Sequence, residues 1–219
     1  MLNLAFDTTA GSCSVILTED GKTVGRIIRK MDFGQAEALF PAIEEIMNKN
    51  RLKPADLDLI TVCTGPGSFT GVRSSLAAAR TLGLALPSTG LTGVSAFEAY
   101  IHDLAPDELA FYNAVIIETK REDFYFQCFD AGKNKTGEPE ALEYDAVIDR
   151  LRHKKVTLTG DGVERFLSRP SGLSLHVIRT EDCLPVEALA ACGSEKYRLK
   201  KLDYPKPLYL RAPDVCIKA

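Results

Sequence analysis

The sequence predicts an α/β protein made of two copies of one unit, each a mixed sheet flanked by helices. Three observations carry this. The chain opens with three consecutive strand-like segments, Leu2–Phe6, Ser12–Thr18 and Lys22–Arg29, the last two joined by Glu-Asp-Gly at Glu19–Gly21, a hairpin turn sequence. Short apolar runs then alternate with segments of helical periodicity, the signature of parallel strands joined through helices. The same order of elements returns after Leu109.

In the first half, Gln35–Asn48 sets Ala36, Leu39, Phe40, Ile43, Ile46 and Met47 at helical spacing, with Asp32 and Gln35 as a capping-box-like start. Pro54 closes the connection after it. Leu57–Cys63 reads as a buried strand, Thr64–Gly71 as a glycine-rich turn, and Val72–Leu86 as a helix ended by Pro87. A strand around Ser88–Leu91 and a helix around Ser95–Leu104 complete the unit. The second half places strands at Tyr112–Glu118, Phe124–Phe129 and near Glu138–Tyr144, then a helix at Asp145–Arg152. A strand at Val156–Thr159, a helix at Val163–Ser168, a strand at Leu173–Arg179 and a helix at Pro185–Leu202 follow. This duplicated order, meander first, is the pattern of the actin/Hsp70/sugar-kinase (ASKHA) fold. The expected domains are residues 1–104, carrying the partner interface, and 105–219, divided near Ala105–Leu109, where Pro106 and two acids break the periodicity.

Composition narrows the classes of function. With 219 residues, 45% apolar residues, 26% charged residues and a net charge of −3, this is an ordinary globular chain with no run long enough to span a bilayer. MLNLAFDTTAGS lacks a secretory leader, so a cytoplasmic location and no membrane role are expected. The six cysteines, Cys13, Cys63, Cys128, Cys183, Cys192 and Cys216, form no CxxC pair and read as small buried apolar residues. A pI near 5.7 argues against strong RNA binding by the chain itself. Only Lys196–Lys201 is locally basic, and it reads as a solvated helix face.

The candidate chemistry is sparse. Asp7, Thr8, Thr9 and Ser12 sit where a nucleotide-binding member of this fold presents its first phosphate turn; the same residues also suit a plain hairpin. Gly65–Gly71 enters a helix, a position that favours an anion, but Gly71-Val72-Arg73 stands where a Walker A loop needs Gly-Lys-Ser/Thr. Those glycines would equally permit close backbone packing. Ser95 lacks the final glycine of a nucleophile elbow, Ser68 does not match one, and His102, His153 and His176 form neither HxxxH nor HExxH. No catalytic or metal residue is therefore expected. The helix Val72–Leu86 has almost no polar face, so both its sides should be covered, either by a partner protein or from within the chain.

Gly65–Arg73, GPGSFTGVR, resembles the signature of the TsaB family, partner subunits of bacterial tRNA threonylcarbamoyladenosine synthesis. LNLAFDTTAGSCSVIL, LFPAIEEIM and GLTGVSAFEAY resemble the family's opening segments, and PLYLRAPDV at Pro207–Val215 its C-terminal signature. The resemblance implies a pseudo-enzyme that pairs with a catalytic paralogue, TsaD, which transfers threonylcarbamoyl to N6 of adenosine 37 in tRNA. TsaD holds a metal through an HxxxH helix; the matching helix here begins Gln35-Ala36-Glu37-Ala38-Leu39. A small ATPase, TsaE, would dock on the pair, tRNA would be met mainly through the complex, and the free chain would form a homodimer. No cofactor is required on this reading, with ATP or ADP at the complex interface left open. The expected interface comprises Gln35, Ala38, Leu39 and Ala42 of the first helix and Arg73, Leu76, Ala77, Ala78, Arg80, Thr81 and Ala85 of the next. Two departures stand out: Gln35 where many members carry histidine, and Glu118-Thr119-Lys120-Arg121 in place of an Asp-Ala-Arg-like turn. The competing reading is a stand-alone nucleotide-binding or peptidase-like enzyme of the same fold.

Overall fold

A computed structural model describes residues 1–178 and 183–211. Residue 179 of the expected strand, residues 212–215 of the C-terminal signature and Cys216 lie outside the described residues. The first half runs β1 (Leu2–Asp7), β2 (Ser12–Glu19), β3 (Lys22–Lys30), α1 (Gln35–Lys49), β4 (Leu59–Cys63), α2 (Phe69–Ala85), β5 (Gly90–Val94) and α3 (Ala96–Asp103). The second runs β6 (Tyr112–Glu118), β7 (Asp123–Phe129), β8 (Glu140–Glu143), α4 (Tyr144–Leu151), β9 (Lys155–Thr159), α5 (Val163–Leu167), β10 (Ser174–Val177) and α6 (Val186–Arg198).

The two sheets repeat one topology, β3-β2-β1-β4-β5 and β8-β7-β6-β9-β10. In each, the meander is antiparallel and the other two strands join it in parallel. This is the duplicated ASKHA architecture expected from the order of elements. Every residue of β1 and β4 is buried, as central strands covered on both faces require, whereas the edge strand β3 is half-exposed and carries Lys22, Arg26 and Lys30. The β2–β3 turn places Asp20 and Gly21 at φ 48° and 79°, the left-handed pair that a two-residue hairpin needs.

The halves share a core. It joins Ala5, Ile16, Phe97, Val115, Phe129 and Leu189, drawn from both sheets and from α3 and α6. The last helix, α6, crosses to the first sheet, where the buried Asn3 Nδ2 donates to Ala190 O (3.0 Å) and Ser194 Oγ (3.1 Å) while Thr61 Oγ1 donates to Asn3 Oδ1 (3.0 Å). Burying an amide is tolerable because all of these groups find partners.

Several boundaries differ from expectation for identifiable reasons. The capping box at Asp32 does not form: Gly34 caps α1 at φ 86°, and Gln35 Nε2 instead donates to Met31 O (2.9 Å). The second helix starts three residues early because Ser68 caps it, accepting from Gly71 N (3.3 Å). The fifth strand runs Gly90–Val94, not Ser88–Leu91. The last helix stops at Arg198, where Lys200 turns left-handed (φ 56°). Ser95, set aside as a nucleophile, builds a capping box with Glu98, each backbone N–H meeting the other's side chain at 3.1 and 2.8 Å.

Candidate functional site

The two β-turns at the ends of β1 and β6 face each other across a cleft of ≈ 680 Å³. Each turn is backed by a glycine-rich entry into a helix. A Cβ on Gly71 would overlap the Thr8 carbonyl oxygen, and one on Gly160 the Ile116 carbonyl oxygen, so close packing is what these glycines serve here. Ser68 N donates to Thr9 O (2.8 Å) and Thr8 Oγ1 to Gly71 O (2.7 Å), clamping the loop onto the hairpin.

This clamp determines the state of the phosphate-turn candidates. Asp7, Thr8 and Ser12 have no exposure, and Thr9 has 4%. Asp7 Oδ1 accepts from Thr9 N (2.9 Å), Thr9 Oγ1 meets Cys63 Sγ (3.5 Å), and Ser12 Oγ meets Ser14 Oγ (2.9 Å). The side chains named as anion ligands are thus engaged within the chain, Asp7 and Ser12 in the hairpin, Thr8 with α2 and Thr9 with β4, and only Thr9 among the four lines the cleft.

Tyr100 and Asp161 line the cleft, whereas Asp7 is fully buried and does not. Burial raises the Asp7 carboxyl above its ordinary range and the Tyr100 hydroxyl well above its own; Asp7 Oδ2 and Tyr100 Oη have no hydrogen-bond partner among the described residues. Burial likewise pushes Asp161 up to about 6, helped by the negative charges of Glu118 and Asp7 and opposed by the Glu118 N–H bonded at 2.9 Å. Between its unfolded value near 4 and about 6, the folded chain holds a proton that the unfolded chain has released. Stability from this group therefore falls as pH rises through that window. Asp161→Asn keeps the oxygen that accepts from Glu118, so it should raise stability near pH 7.5 by on the order of 2 kcal/mol and change it little near pH 4. Denaturant titrations at both pH values check this; an equal effect at both would contradict it.

The C-terminal segment lines one part of the cleft. Leu208 N donates to Thr64 O (2.8 Å), the Tyr209 ring stands 5.5 Å from that of Phe69, and Arg211 pairs with Asp123 across on the other half.

The outer faces of α1 and α2 are open instead. On them Phe40 is 49% exposed and Leu84 86%, and Arg73, Ala77, Thr81 and Ala85 are exposed as well, while Phe33, 90% exposed, precedes α1 and lines the cleft. Gln35, Ala38 and Arg80 are half-buried. Leu39, Ala42, Leu76 and Ala78 correct the expected interface: they face the chain's own core with Ile60 and Val62, because α1 and α2 pack against each other and the sheet. The expectation missed Phe33, Phe40 and Leu84 as surface residues. Phe33 precedes the left-handed Gly34 cap of α1, so no helical period relates it to Phe40.

Residues 34–152, more than half the chain, match the model of the family described as "TsaD: tRNA N6-adenosine threonylcarbamoyltransferase". The tRNA threonylcarbamoyladenosine biosynthesis protein TsaB of Buchnera aphidicola subsp. Baizongia pistaciae is 38% identical over 86 residues, which spans 38% of this chain and 38% of that protein. The protein of the same name from Escherichia coli K12 is 25% identical over 95% of this chain and 94% of its own length. Among solved structures, YeaZ from Pseudomonas aeruginosa superposes with a TM-score of 0.80 at 21% identity, covering 95% of this chain and 99% of that one.

Proposed function

Because the chain belongs to the TsaB branch of the TsaD family, we propose that it serves threonylcarbamoyladenosine biosynthesis on tRNA as a non-catalytic subunit. On this reading it pairs with a catalytic TsaD through the outward face of α1 and α2, helps to recruit TsaE, and leaves the transfer to adenosine 37 to TsaD. It works in the cytoplasm, needs no cofactor of its own, and forms a homodimer through the same helices when alone. No helix among the described residues is long and apolar enough to cross a membrane.

The observation that carries this is the contrast between the two candidate surfaces. The apolar side chains Phe40, Ala77 and Leu84 of α1 and α2 are open to water, which soluble chains rarely leave uncovered. The cleft has its phosphate-turn groups bonded internally and is lined in part by the C-terminal segment, whose Arg211 pairs with Asp123. Threonylcarbamoyl transfer to tRNA should be at background with this chain alone and should need it when TsaD is present. Transfer by the isolated chain would overturn the proposal.

One observation favours a second reading, nucleotide binding in the cleft: Tyr100, whose ring lines the cleft, has its Oη buried with no hydrogen-bond partner among the described residues. Calorimetry with ADP on the isolated chain separates the two, since the non-catalytic reading expects no heat of binding.

A further inference from the structure

The basic run read as a solvated helix face becomes part of a larger surface once the C-terminal segment is in place. Residues 195–206 carry a net charge of +3, leaving −6 on the rest of the chain. Arg198, Lys200, Lys201 and Lys206 are exposed, and none meets a carboxylate among the described residues. Lys200 and Lys201 sit on a fixed turn: Lys200 N donates to Tyr197 O (3.0 Å) and Lys201 N to Lys196 O (2.9 Å), with Lys200 in the left-handed conformation usually left to glycine. The backbone that carries these cations is held in place, and the carboxyl end of α6 favours positive charge there.

Aromatic rings alternate with these charges. The Tyr197 ring and Leu202 lie together on Gly90, at the start of β5. The Arg80 guanidinium, which donates to Pro205 O (2.7 Å), stands 5.4 Å over the Tyr204 ring. Further along the segment, Arg73 sits 3.8 Å over Phe69 and donates to the Tyr209 hydroxyl (3.4 Å). Tyr204 is 60% exposed and Tyr209 43%.

We propose that this strip, from Arg198 to Tyr209, is an RNA-binding surface through which the chain holds part of the tRNA backbone and stacks unpaired bases. The proposal rests on the chain's belonging to a tRNA-modifying assembly and goes beyond it by placing RNA contact on this subunit. Exposed lysines on a fixed backbone turn supply phosphate contacts, and the exposed rings of Tyr204, beneath Arg80, and Tyr209, against Phe69, supply stacking platforms. Protein interfaces, by contrast, are depleted in lysine at their centres, which sets this strip apart from the apolar α1–α2 face.

The test is fluorescence anisotropy of a labelled tRNA transcript with the full chain, over roughly 50 to 200 mM salt. Combining Lys200→Glu, Lys201→Glu and Lys206→Glu should weaken binding at least tenfold at the low end and flatten the slope of log affinity against log salt by about two to three. Tyr204→Ala should weaken binding several-fold and leave the slope unchanged, because stacking releases no counterions. Thermal unfolding should be unaltered in both, since all four side chains are exposed. Equal affinity of the triple variant and the unsubstituted chain overturns the proposal, as does the absence of any binding at low salt. If the triple variant keeps its RNA affinity and instead stops co-eluting with TsaD, the strip is a protein interface and the proposal fails. Co-elution of the unsubstituted chain with TsaD is read separately, so failure here leaves the subunit assignment standing.

Discussion

Replacing Gly71 with alanine should destabilise the fold by about 3 kcal/mol, although Gly71 lies inside α2 and alanine is the better helix former by about 1 kcal/mol. Sterics should win over propensity. The new methyl group would overlap the Thr8 carbonyl oxygen, a backbone atom that cannot rotate away as a side chain could. Neither backbone is free to retreat. β1 is paired on both sides, to β2 and β4, and α2 is tied to the hairpin through Ser68 N and Thr9 O. Chemical denaturation of Gly71→Ala checks this against Gly137→Ala, whose added Cβ meets nothing within 4 Å and should change stability by about 0.5 kcal/mol or less. A shared denaturation midpoint for the two variants would show that the hairpin and the loop are not clamped as described.

That clamp also marks where the sequence stopped being informative. The order of elements was legible because strand and helix periods differ and because apolar runs such as LITVC at Leu59–Cys63 admit little but a buried strand. The repeat of topology followed from that order. Less legible was what the glycine loop does. GPGSFTG satisfies both a phosphate-binding turn and a close-packed one, and only the position of Thr8 against Gly71 separates them. Helix faces were harder still: in α2 the run Leu76-Ala77-Ala78-Ala79 looks uniform, yet Ala77 is exposed while Ala78 and Ala79 are core. Small residues carry no polarity to mark the outward side, so the face depends on where α1 lands. Of the strip from Arg198 to Tyr209, the sequence marked only the charges of the basic run Lys196–Lys201 and not the ring contacts. Its rings come from α2 and from a segment without regular structure, and no local period relates them.

The open α1–α2 face yields the second large effect. Ala77→Arg and Ala85→Arg each place a long cation on an exposed position of α2, so the isolated chain should keep its fold and its circular dichroism spectrum. In an assembly that covers this face, the charge would be buried without a partner, costing several kcal/mol and cutting association by roughly a hundredfold or more. Ala78→Arg is the internal contrast. Ala78 is 5% exposed and packed in the core with Leu39, Val62 and Leu76, so the same substitution there should unfold the chain rather than merely separate it from a partner.

Size-exclusion chromatography of the chain mixed with the TsaD of the same organism is the most direct measurement of whether this protein works as a partner subunit through α1 and α2. The unsubstituted chain should co-elute with TsaD, and folded Ala77→Arg and Ala85→Arg should run apart from it as monomers. Failure of the unsubstituted chain to co-elute, or co-elution of both folded variants as tightly as the parent, would contradict the assignment.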